Sequence, residues 1–407
     1  MTRIALLPSS YPPSLGGVEE LTRHLALALG RAGDQVEVWA PHPNDATPET
    51  VEVLDGIVVR RLPFPLPATN VSAVRRSVFT GTRSLLSLRS AVAAFRPDLL
   101  HVQCFGPNGT YAGALSRITG LPLVVSLQGE TLMDDGDAFD VSRVLRASLR
   151  ASLRHAAAVT GCSAFTLADA EDRFGLVPGR GLVVPNGVDL DPDPDADPAP
   201  LMVPGRDPAR PYVLAVGRVV EKKGFDLLLA AYAAVDAGHR TADLVIAGQG
   251  TALEGLRHQA AALDLGDRVH FAGRLSRQQV AGAMAGAAVF VMPSRLEPFG
   301  IVILEAWRAG TAVMATDHGG PPEFVRDGED GVLIDPFDTA AFAAALEALM
   351  GDPERRRHLG ESGRRRVQEF GWPTVAERYR EIYAGVLDQR GRTVRAPAPS
   401  PQGEVVR

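Results

Sequence analysis

Cysteine and lysine are both scarce in this sequence. Its 407 residues include two cysteines, Cys104 and Cys162, which are too few for a disulfide framework or a cysteine-rich zinc site. Both stand in apolar surroundings, so we expect buried packing and a reducing, cytoplasmic compartment. The nine histidines are scattered without a His-x-x-x-His spacing, so the sequence predicts no metal site, and no cofactor is expected.

Long apolar runs and an excess of positive charge are missing as well. The longest run free of Asp, Glu, Lys, Arg and His covers 278–294 and includes two glutamines, a proline and a serine, which is unlike a membrane-spanning helix. Ile4–Leu7 is too short for a secretory signal and is typical of a buried strand. With 42 basic and 48 acidic residues the net charge is −6, which argues against nucleic acid as a partner.

Instead, short apolar runs alternate with amphipathic helical stretches. Runs rich in valine, leucine and isoleucine predict a first set of strands at Ile4–Leu7, Val36–Ala40, Leu99–Val102, Leu123–Leu127, Ala157–Thr160 and Leu182–Val184. A second set follows at Tyr212–Val216, Leu244–Ala247, Val269–Phe271, Val289–Met292, Ala312–Ala315 and Val332–Ile334. Strands that are apolar throughout are typical of a parallel sheet covered by helices on both faces.

One proline-rich segment separates the two sets. Residues 191–211 contain seven prolines, and proline disfavours both helices and central strands. The predicted order is a domain at 1–190, a Pro/Asp-rich linker at 191–211, a second domain at 212–370, a helix at 371–390 and a disordered tail at 391–407. Both domains are predicted to be α/β with a Rossmann-like parallel sheet. Because such sheets bind ligands at the carboxyl ends of their strands, two sheets placed face to face would form a deep cleft.

The loop after Tyr212–Val216 carries the only two lysines, Lys222 and Lys223. Arg218 and Lys223 flank the entrance to a predicted helix, where free backbone N–H groups and the helix dipole favour a phosphate. The alternative is that both are solvated surface charges.

The loop after Val289–Met292 carries two carboxylates beside another helix entrance. Glu297 lies in the loop, and Glu305, eight residues further, lies about one turn inside the helix. Carboxylates accept hydrogen bonds from vicinal hydroxyls, so the pair could hold two diols, such as those of a sugar ring and a ribose. The alternative is a turn residue and an ordinary first-turn acid.

Two glycine pairs follow other predicted strands. Gly319-Gly320 precede Pro321, and Gly16-Gly17 precede the first helix. Adjacent glycines let a backbone approach a ligand closely, although a plain tight turn is the alternative. Neither pair forms the G-x-G-x-x-G motif of dinucleotide-binding enzymes, which makes a dinucleotide-dependent dehydrogenase a weak competitor.

Five motifs occur in a fixed order along the chain. They are Gly16-Gly17-Val18, Asn186-Gly187-Val188-Asp189, Gly217-Arg218 with Lys223-Gly224, Glu297-Pro298-Phe299-Gly300 with Glu305-Ala306, and Gly319-Gly320-Pro321 with Glu323. In this combination the chain, up to about residue 390, resembles the retaining nucleotide-sugar glycosyltransferases of family 4. These enzymes have the GT-B fold, in which two Rossmann-like domains face each other across a deep cleft.

The resemblance implies roles for individual residues. Arg218 and Lys223 would neutralise the diphosphate of the donor without a metal, and Glu297 would hold hydroxyls of the transferred hexose. The other donor-binding residues that it implies are Gly16, Gly17, Arg274, Phe299, Gly300 and Glu305. The first domain would bind the acceptor, the second would bind the nucleotide sugar, and the helix at 371–390 would cross back to the first domain. The leaving phosphate would take the proton of the acceptor.

The sequence departs from the family pattern at one candidate catalytic residue. Similar enzymes usually have a histidine directly after the strand Leu123–Leu127, where this chain has Gln128, and Gln103 replaces a second histidine after His101 in the same way. Gln128 can donate to a sugar hydroxyl but cannot act as a base. The departure therefore bears on the sugar contact and the donor preference.

Arginines are concentrated in the first domain. Seven arginines and no acid lie between Gly56 and Pro97, and the stretch Val141–His155 sets four more along one face beside three leucines. Such a face could rest on anionic lipid, as a lipid-linked acceptor would require, but a solvated helix face packed by its leucines is the favoured alternative. Three acids, Glu130, Asp134 and Asp135, could contact a polar or cationic acceptor or could be solvated loop residues.

The sequence thus predicts a metal-independent, retaining hexosyltransferase that uses a UDP- or GDP-sugar. Its acceptor would be a hydroxyl of a glycolipid, a polysaccharide intermediate or a small-molecule glycoside. Two rival enzymes share the fold: an epimerase would convert the donor without an acceptor, and a phosphorylase would release sugar phosphate when given inorganic phosphate. A non-catalytic protein would bind the nucleotide sugar without consuming it.

Overall fold

A computed structural model describes residues 1–14, 16–42, 49–65, 71–133, 138–190 and 201–395. The strands of the first domain are β1 (Arg3–Pro8), β2 (Gln35–Pro41), β3 (Thr50–Leu54), β4 (Ile57–Leu62), β5 (Leu99–Gln103), β6 (Leu123–Leu127), β7 (Ala158–Gly161) and β8 (Gly181–Val183). Its helices are α1 (Gly17–Arg31), α2 (Val71–Phe95), α3 (Pro107–Thr119), α4 (Glu130–Met133), α5 (Ala138–Val141), α6 (Arg143–His155) and α7 (Ala164–Phe174). The sheet order is β3-β4-β2-β1-β5-β6-β7-β8.

The second domain repeats this alternation. Its strands are β9 (Tyr212–Val216), β10 (Asp243–Ala247), β11 (Val269–Gly273), β12 (Val289–Met292), β13 (Val313–Thr316) and β14 (Val332–Ile334), in the order β11-β10-β9-β12-β13-β14. Its helices are α8 (Phe225–Ala234), α9 (Leu253–Ala262), α10 (Arg277–Gly286), α11 (Ile301–Ala309), α12 (Thr339–Gly351) and α13 (Pro353–Arg366), and α14 (Trp372–Arg395) ends the described chain. Short 3-10 helices cover Glu221–Lys223, Gly266–Arg268, Pro321–Glu323 and Val367–Phe370.

The central strands of both sheets are buried on both faces, as the continuous apolar runs predict. Neighbouring residues of β1 belong to opposite core clusters: Ile4 packs under α1 and α14, whereas Ala5 packs under the helices of the other face. In the second domain, Val213 and Leu214 divide between two clusters in the same way. The prediction of two parallel-sheet α/β domains with a GT-B arrangement is confirmed, and the carboxyl ends of their strands carry the site described below.

One hairpin was not expected. β3 and β4 pair antiparallel at the edge of the first sheet, joined by Asp55-Gly56 with φ values of 52° and 79°. An Asp-Gly turn between alternating apolar residues is a strong hairpin signal, and it is present in the sequence. Two of the seven arginines between Gly56 and Pro97 have acidic partners at this hairpin. Arg60 pairs with Glu37 and Glu49, and Arg61 pairs with Glu52.

Helix α14 returns from the second domain to the first. Val375, Tyr379 and Tyr383 are buried against apolar residues of α1. At the surface, Arg380 Nε lies 2.9 Å from Asp34 Oδ2, just after α1. The helix runs to Arg395, so the tail predicted at 391–407 begins too early; no proline interrupts the chain between 374 and 396.

The second half of the predicted linker is packed rather than extended. Leu201 and Val203 are buried in the second-domain core, and the Arg206 guanidinium lies 4.6 Å from the centre of the Tyr212 ring. The first half, 191–200, lies outside the described residues, as does the tail from 396.

Helix α6 buries the leucines of its amphipathic pattern. Leu145, Leu149 and Leu153 are buried, whereas Arg143 and Arg150 are exposed. The leucine packing agrees with the favoured alternative, and contact with a membrane surface stays a prediction. Among the described helices, none combines the length and the apolar character that crossing a bilayer requires.

Candidate active site

Two loops of the second domain meet because their strands are neighbours. β9 and β12 pair in parallel, so the loops that follow them leave the same edge of the sheet. The Arg295 N–H donates to the Lys222 carbonyl at 3.0 Å, and the Arg295 guanidinium holds both carboxylate oxygens of Asp226 at 2.7 and 2.6 Å. Arg295 was not among the predicted site residues. It fixes the loop of the lysines against the loop of Glu297.

Lys223 and Glu297 form an ion pair at this junction. Lys223 Nζ lies 2.6 Å from Glu297 Oε2, and the Ser294 hydroxyl donates to the same oxygen at 3.0 Å. Only 19% of the lysine side chain and 9% of the glutamate side chain are exposed. A charge that is largely removed from water needs such a partner. The pair leaves two ammonium protons and one carboxylate oxygen for a ligand.

The backbone of Glu297 is fixed by the loop after β13. Its N–H donates to the His318 carbonyl at 3.0 Å, and its carbonyl accepts from the Gly320 N–H at 2.8 Å. Gly319 between them has φ +113°, and a Cβ added there would lie 2.2 Å from the Glu297 carbonyl oxygen. The first glycine of the pair therefore serves a close approach of two loops, not a simple turn.

Helix α11 begins at this site without a side-chain cap. Gly300 is its N-cap and has no side chain to accept a hydrogen bond from the first turn. Gly16 before α1 leaves that helix without a side-chain cap as well, whereas in the first turn of α8 the Asp226 carboxylate accepts backbone N–H groups. Uncapped first turns present N–H groups and the positive end of the helix dipole to an anion. Phe299, by contrast, buries its side chain against Phe324, so a role in binding is left to its backbone.

Glu305 lies inside α11, and burial raises the pKa of its carboxyl while Arg308 and Arg277 oppose that shift. Arg277, at the start of α10, forms an ion pair with Glu20 in α1 of the first domain. Because Glu20 lies in α1, this ion pair holds the helix that begins at Gly17 near the side of the site that carries Glu305. Arg277 was not predicted, since an exposed arginine at a helix start has no distinguishing sequence signal.

Two other predicted residues have less distinctive surroundings. Arg274, in the loop after β11, is exposed. At Gly17 an added Cβ would meet no described atom within 4 Å, whereas at Gly16 it would lie 2.7 Å from Glu19 Oε2.

Basic residues of the second domain reach the first domain at α4. Arg218 Nη2 lies 3.3 Å from the Met133 carbonyl oxygen, and Lys222 Nζ lies 3.2 Å from that of Leu132. The end of a helix carries unsatisfied carbonyls and partial negative charge, which suits both cations. The cations of the site thus bridge the two domains.

The Glu297 loop also contacts the first domain directly. The Ser163 hydroxyl donates to the Pro298 carbonyl at 2.6 Å, and a Cβ added to Gly129 would lie 2.2 Å from Pro298 Cγ. On the same side, Glu323 accepts the N–H groups of Ala164 and Phe165 at the start of α7, both at 2.7 Å. These contacts close the edges of the two sheets onto each other beside Glu297.

Gln128 occupies the first-domain side of the cleft. Its backbone N–H donates to Glu130 at 2.6 Å, and the other oxygen of that carboxylate accepts the Phe105 N–H at 2.6 Å. Burial raises the pKa of Glu130 to about 7. Glu130 therefore ties together the ends of β5 and β6 instead of lying free in solvent. Asp134 and Asp135, the other two candidate acids, lie outside the described residues.

One group of side chains in the described chain could offer three ligand atoms to a metal. Asp317, His318 and Asp335 have such atoms within 4.8 Å of one another. The aspartates are exposed, and His318 Nε2 lies 3.4 and 3.1 Å from their carboxylates. His318 Nε2 is within hydrogen-bond distance of Asp335, which accounts for the proximity of these two side chains.

Comparisons with known proteins agree with this architecture. Residues 16–187 match the family described as glycosyl transferase 4-like domain, and residues 203–366 match glycosyl transferases group 1. The chain is 29% identical to glycogen synthase of Mycobacterium tuberculosis, with 98% of this chain and 97% of that protein aligned. It is 30% identical to D-inositol 3-phosphate glycosyltransferase of Streptomyces scabiei, with coverage of 93% and 88%.

A solved structure shows the same fold. Anabaena Alr3699/HepE in complex with UDP and glucose superimposes with a TM-score of 0.73 at 21% identity, covering 95% of this chain and all of the other. Both halves of the chain match glycosyltransferase domains, and the curated relatives span nearly its whole length. The chain therefore belongs to the glycosyl transferases group 1 family and is a glycosyltransferase with the GT-B fold.

Proposed function

We propose that this enzyme transfers a hexosyl group from a UDP- or GDP-sugar to a hydroxyl acceptor, with retention of configuration and without a metal, as in family 4. The observation that carries the proposal is the Lys223–Glu297 pair at 2.6 Å beside the uncapped start of α11. This pair supports the proposal because a cation able to bind a phosphate lies next to a carboxylate able to accept sugar hydroxyls, and a nucleotide sugar carries both groups at one junction.

The cations stabilise the leaving group. As the glycosidic bond to the diphosphate breaks, negative charge grows on the phosphate oxygens. Lys223 and Arg218, with the first-turn N–H groups of α11, supply fixed positive charge there without the need for solvent to reorganise. Glu297 accepts from hexose hydroxyls through its remaining oxygen and so fixes the anomeric carbon.

The acceptor proton goes to the departing phosphate. Gln128 is an amide and cannot take it, and both oxygens of Glu130 are already held by backbone N–H groups. Proton transfer to the phosphate keeps the acceptor on the face that the leaving group vacates, which retains the configuration. HepE forms a complex with UDP and glucose, and the two similar enzymes are a glycogen synthase and a D-inositol 3-phosphate glycosyltransferase. The acceptor class is therefore proposed only as a hydroxyl compound.

The first experiment identifies the donor. A panel of UDP- and GDP-hexoses is screened for protection against thermal unfolding, because a ligand that binds the native state raises Tm. The stabilising donor is then incubated with glycolipid, polysaccharide and glycoside acceptors, and the nucleoside diphosphate released is measured. Binding without consumption would indicate a non-catalytic protein, and conversion of the donor without any acceptor would indicate an epimerase. Release of sugar phosphate after addition of inorganic phosphate would indicate a phosphorylase.

A matched pair of variants tests the site. Glu297→Gln is expected to lower kcat about 100-fold or more, the usual effect of removing one preorganised polar contact. The control Glu354→Gln neutralises an exposed acid of α13 and leaves turnover unchanged. Retention is read from the anomeric proton coupling of the product by NMR. Turnover in excess EDTA is expected to equal that of the untreated enzyme, whereas loss and rescue by a divalent ion would implicate the Asp317–His318–Asp335 group.

A further inference from the structure

A chain of buried hydrogen bonds runs from helix α14 to the cleft. Tyr383 Oη lies 2.6 Å from His101 Nδ1, and Gln103 Nε2 lies 3.2 Å from His101 Nε2. Gln103 Oε1 in turn accepts from Gln128 Nε2 at 3.2 Å. His101 and Gln103 are fully buried and Tyr383 is 1% exposed. The chain joins the end of β6 to a residue 255 positions later in the sequence.

The direction of this chain follows from the protonation of His101. Complete burial lowers the pKa of His101 to about 3, so the ring is neutral and has one N–H. The Gln103 amide nitrogen can only donate, so Nε2 is the accepting nitrogen and Nδ1–H donates to Tyr383. The Ser126 hydroxyl, 2.6 Å from Nε2, can donate to the same atom. The carbonyl of Gln103 must then face Gln128.

This order leaves one acceptor without a partner. Gln128 Oε1 is buried and has no hydrogen-bond partner among the residues that the structure describes. A buried acceptor left unpaired costs free energy, so a ligand that donates to it binds more tightly. The next residue, Gly129, touches Pro298 beside Glu297, which locates Gln128 at the edge of the proposed sugar site.

We propose that Tyr383, His101 and Gln103 are positioning residues that fix the amide of Gln128, so that its carbonyl oxygen accepts a hydrogen bond from one hydroxyl of the transferred sugar. The inference rests on the proposed function. It makes Gln128 a specificity-determining residue for the donor. It also makes the C-terminal helix part of donor recognition without any contact with the donor.

The key variant is Tyr383→Phe. Without the tyrosine oxygen, Nδ1–H has no acceptor, and the proton moves to Nε2. The Gln103 amide then turns, so that its carbonyl accepts from Nε2–H and its nitrogen faces Gln128. Gln128 in turn directs its carbonyl at that nitrogen and presents its own amide nitrogen to the sugar. The matched control is Tyr232→Phe, because Tyr232 is also fully buried and donates to a backbone carbonyl, that of Ala242, in the second domain.

The assay uses donor analogues in which fluorine replaces one sugar hydroxyl, because fluorine can accept a hydrogen bond but cannot donate one. With the wild-type enzyme and with Tyr232→Phe, one analogue is expected to lose about tenfold or more in kcat/KM, mainly through KM. Gln128→Met has a side chain of similar length without an amide, and in Tyr383→Phe the amide nitrogen can donate to a hydroxyl oxygen or to fluorine, so with both variants that analogue and the full donor should react alike. ¹⁵N NMR of His101 should show the protonated nitrogen changing from Nδ1 to Nε2 in Tyr383→Phe.

Two results would overturn the inference. If Tyr383→Phe keeps the wild-type preference and Gln128→Met loses it, helix α14 does not fix the orientation of the Gln128 amide. If Gln128→Met keeps the preference, Gln128 does not accept a hydrogen bond from that hydroxyl. In both cases turnover of the full donor by the wild type upholds the proposed function, whereas a wild type that consumes no nucleotide sugar would overturn that function as well.

Discussion

Gly129 gives the sharpest test of domain closure at the site. It has φ +87°, and a Cβ on it would lie 2.2 Å from Pro298 Cγ and 2.3 Å from Pro298 Cβ. An ordinary carbon contact needs at least 3.4 Å, so Gly129→Ala must push the Glu297 loop away from the first domain by more than 1 Å. Displacement of reacting groups by about 1 Å can lower rates about 100-fold. We expect kcat/KM for the nucleotide sugar to fall by that factor.

The control separates this effect from backbone strain. Gly120, the C-cap of α3, has φ +69°, and a Cβ there meets no described atom within 4 Å. Both substitutions should cost about 1–2 kcal/mol of stability, because an L-residue is disfavoured at positive φ. Only Gly129→Ala should also lower turnover and increase the radius of gyration in small-angle X-ray scattering. Urea unfolding shows whether both variants are folded. If both are folded and equally active, closure of the cleft through Pro298 is refuted.

Three further predictions concern the cleft and the C-terminal helix. Glu323→Ala should increase the radius of gyration, because it removes two charge-assisted hydrogen bonds to α7; an unchanged scattering profile would contradict this. Burial raises the pKa of Glu305, so its carboxylate is lost as pH falls, at a higher pH than for a free carboxyl. Donor affinity measured by calorimetry should weaken over that range, and Glu305→Gln should remove the pH dependence. Trp372→Ala should lower the free energy of unfolding in urea by about 3–5 kcal/mol, since Trp372 is buried and stacks on His24 at 5.7 Å.

Much of the fold follows from the sequence because parallel strands that are buried on both faces are apolar throughout. β6, β9, β12 and β14 have the predicted bounds, and most other predicted strands differ by one or two residues at their ends. The β3–β4 hairpin escaped the same reasoning, since β3 is mostly exposed and two adjacent arginines interrupt the apolar residues of β4. Its Asp-Gly turn was the signal that could have revealed it.

The candidate site was predictable only in part. The positions of Arg218, Lys223 and Glu297 in loops at one edge of a sheet follow from the order of strands and loops. Their pairing does not, because 74 residues separate the lysine from the glutamate, and only the adjacency of β9 and β12 joins them. His101 and Tyr383 were out of reach for the same reason, since their contact depends on the path of α14.

The contacts between the domains fall into two kinds, and the difference bears on how donor binding and closure are linked. Ser163 and Glu323 join the domains through hydrogen bonds to backbone groups, and the ligands proposed for the site do not bind these backbone groups. Arg218, however, donates to the Met133 carbonyl in this closed arrangement, and it is also the proposed partner of the diphosphate. A phosphate oxygen carries full charge and is a stronger acceptor than a neutral carbonyl. We therefore expect donor binding to draw Arg218 away from the Met133 carbonyl, while Lys222, 3.2 Å from the Leu132 carbonyl, and the contacts of Ser163 and Glu323 keep the two domains together.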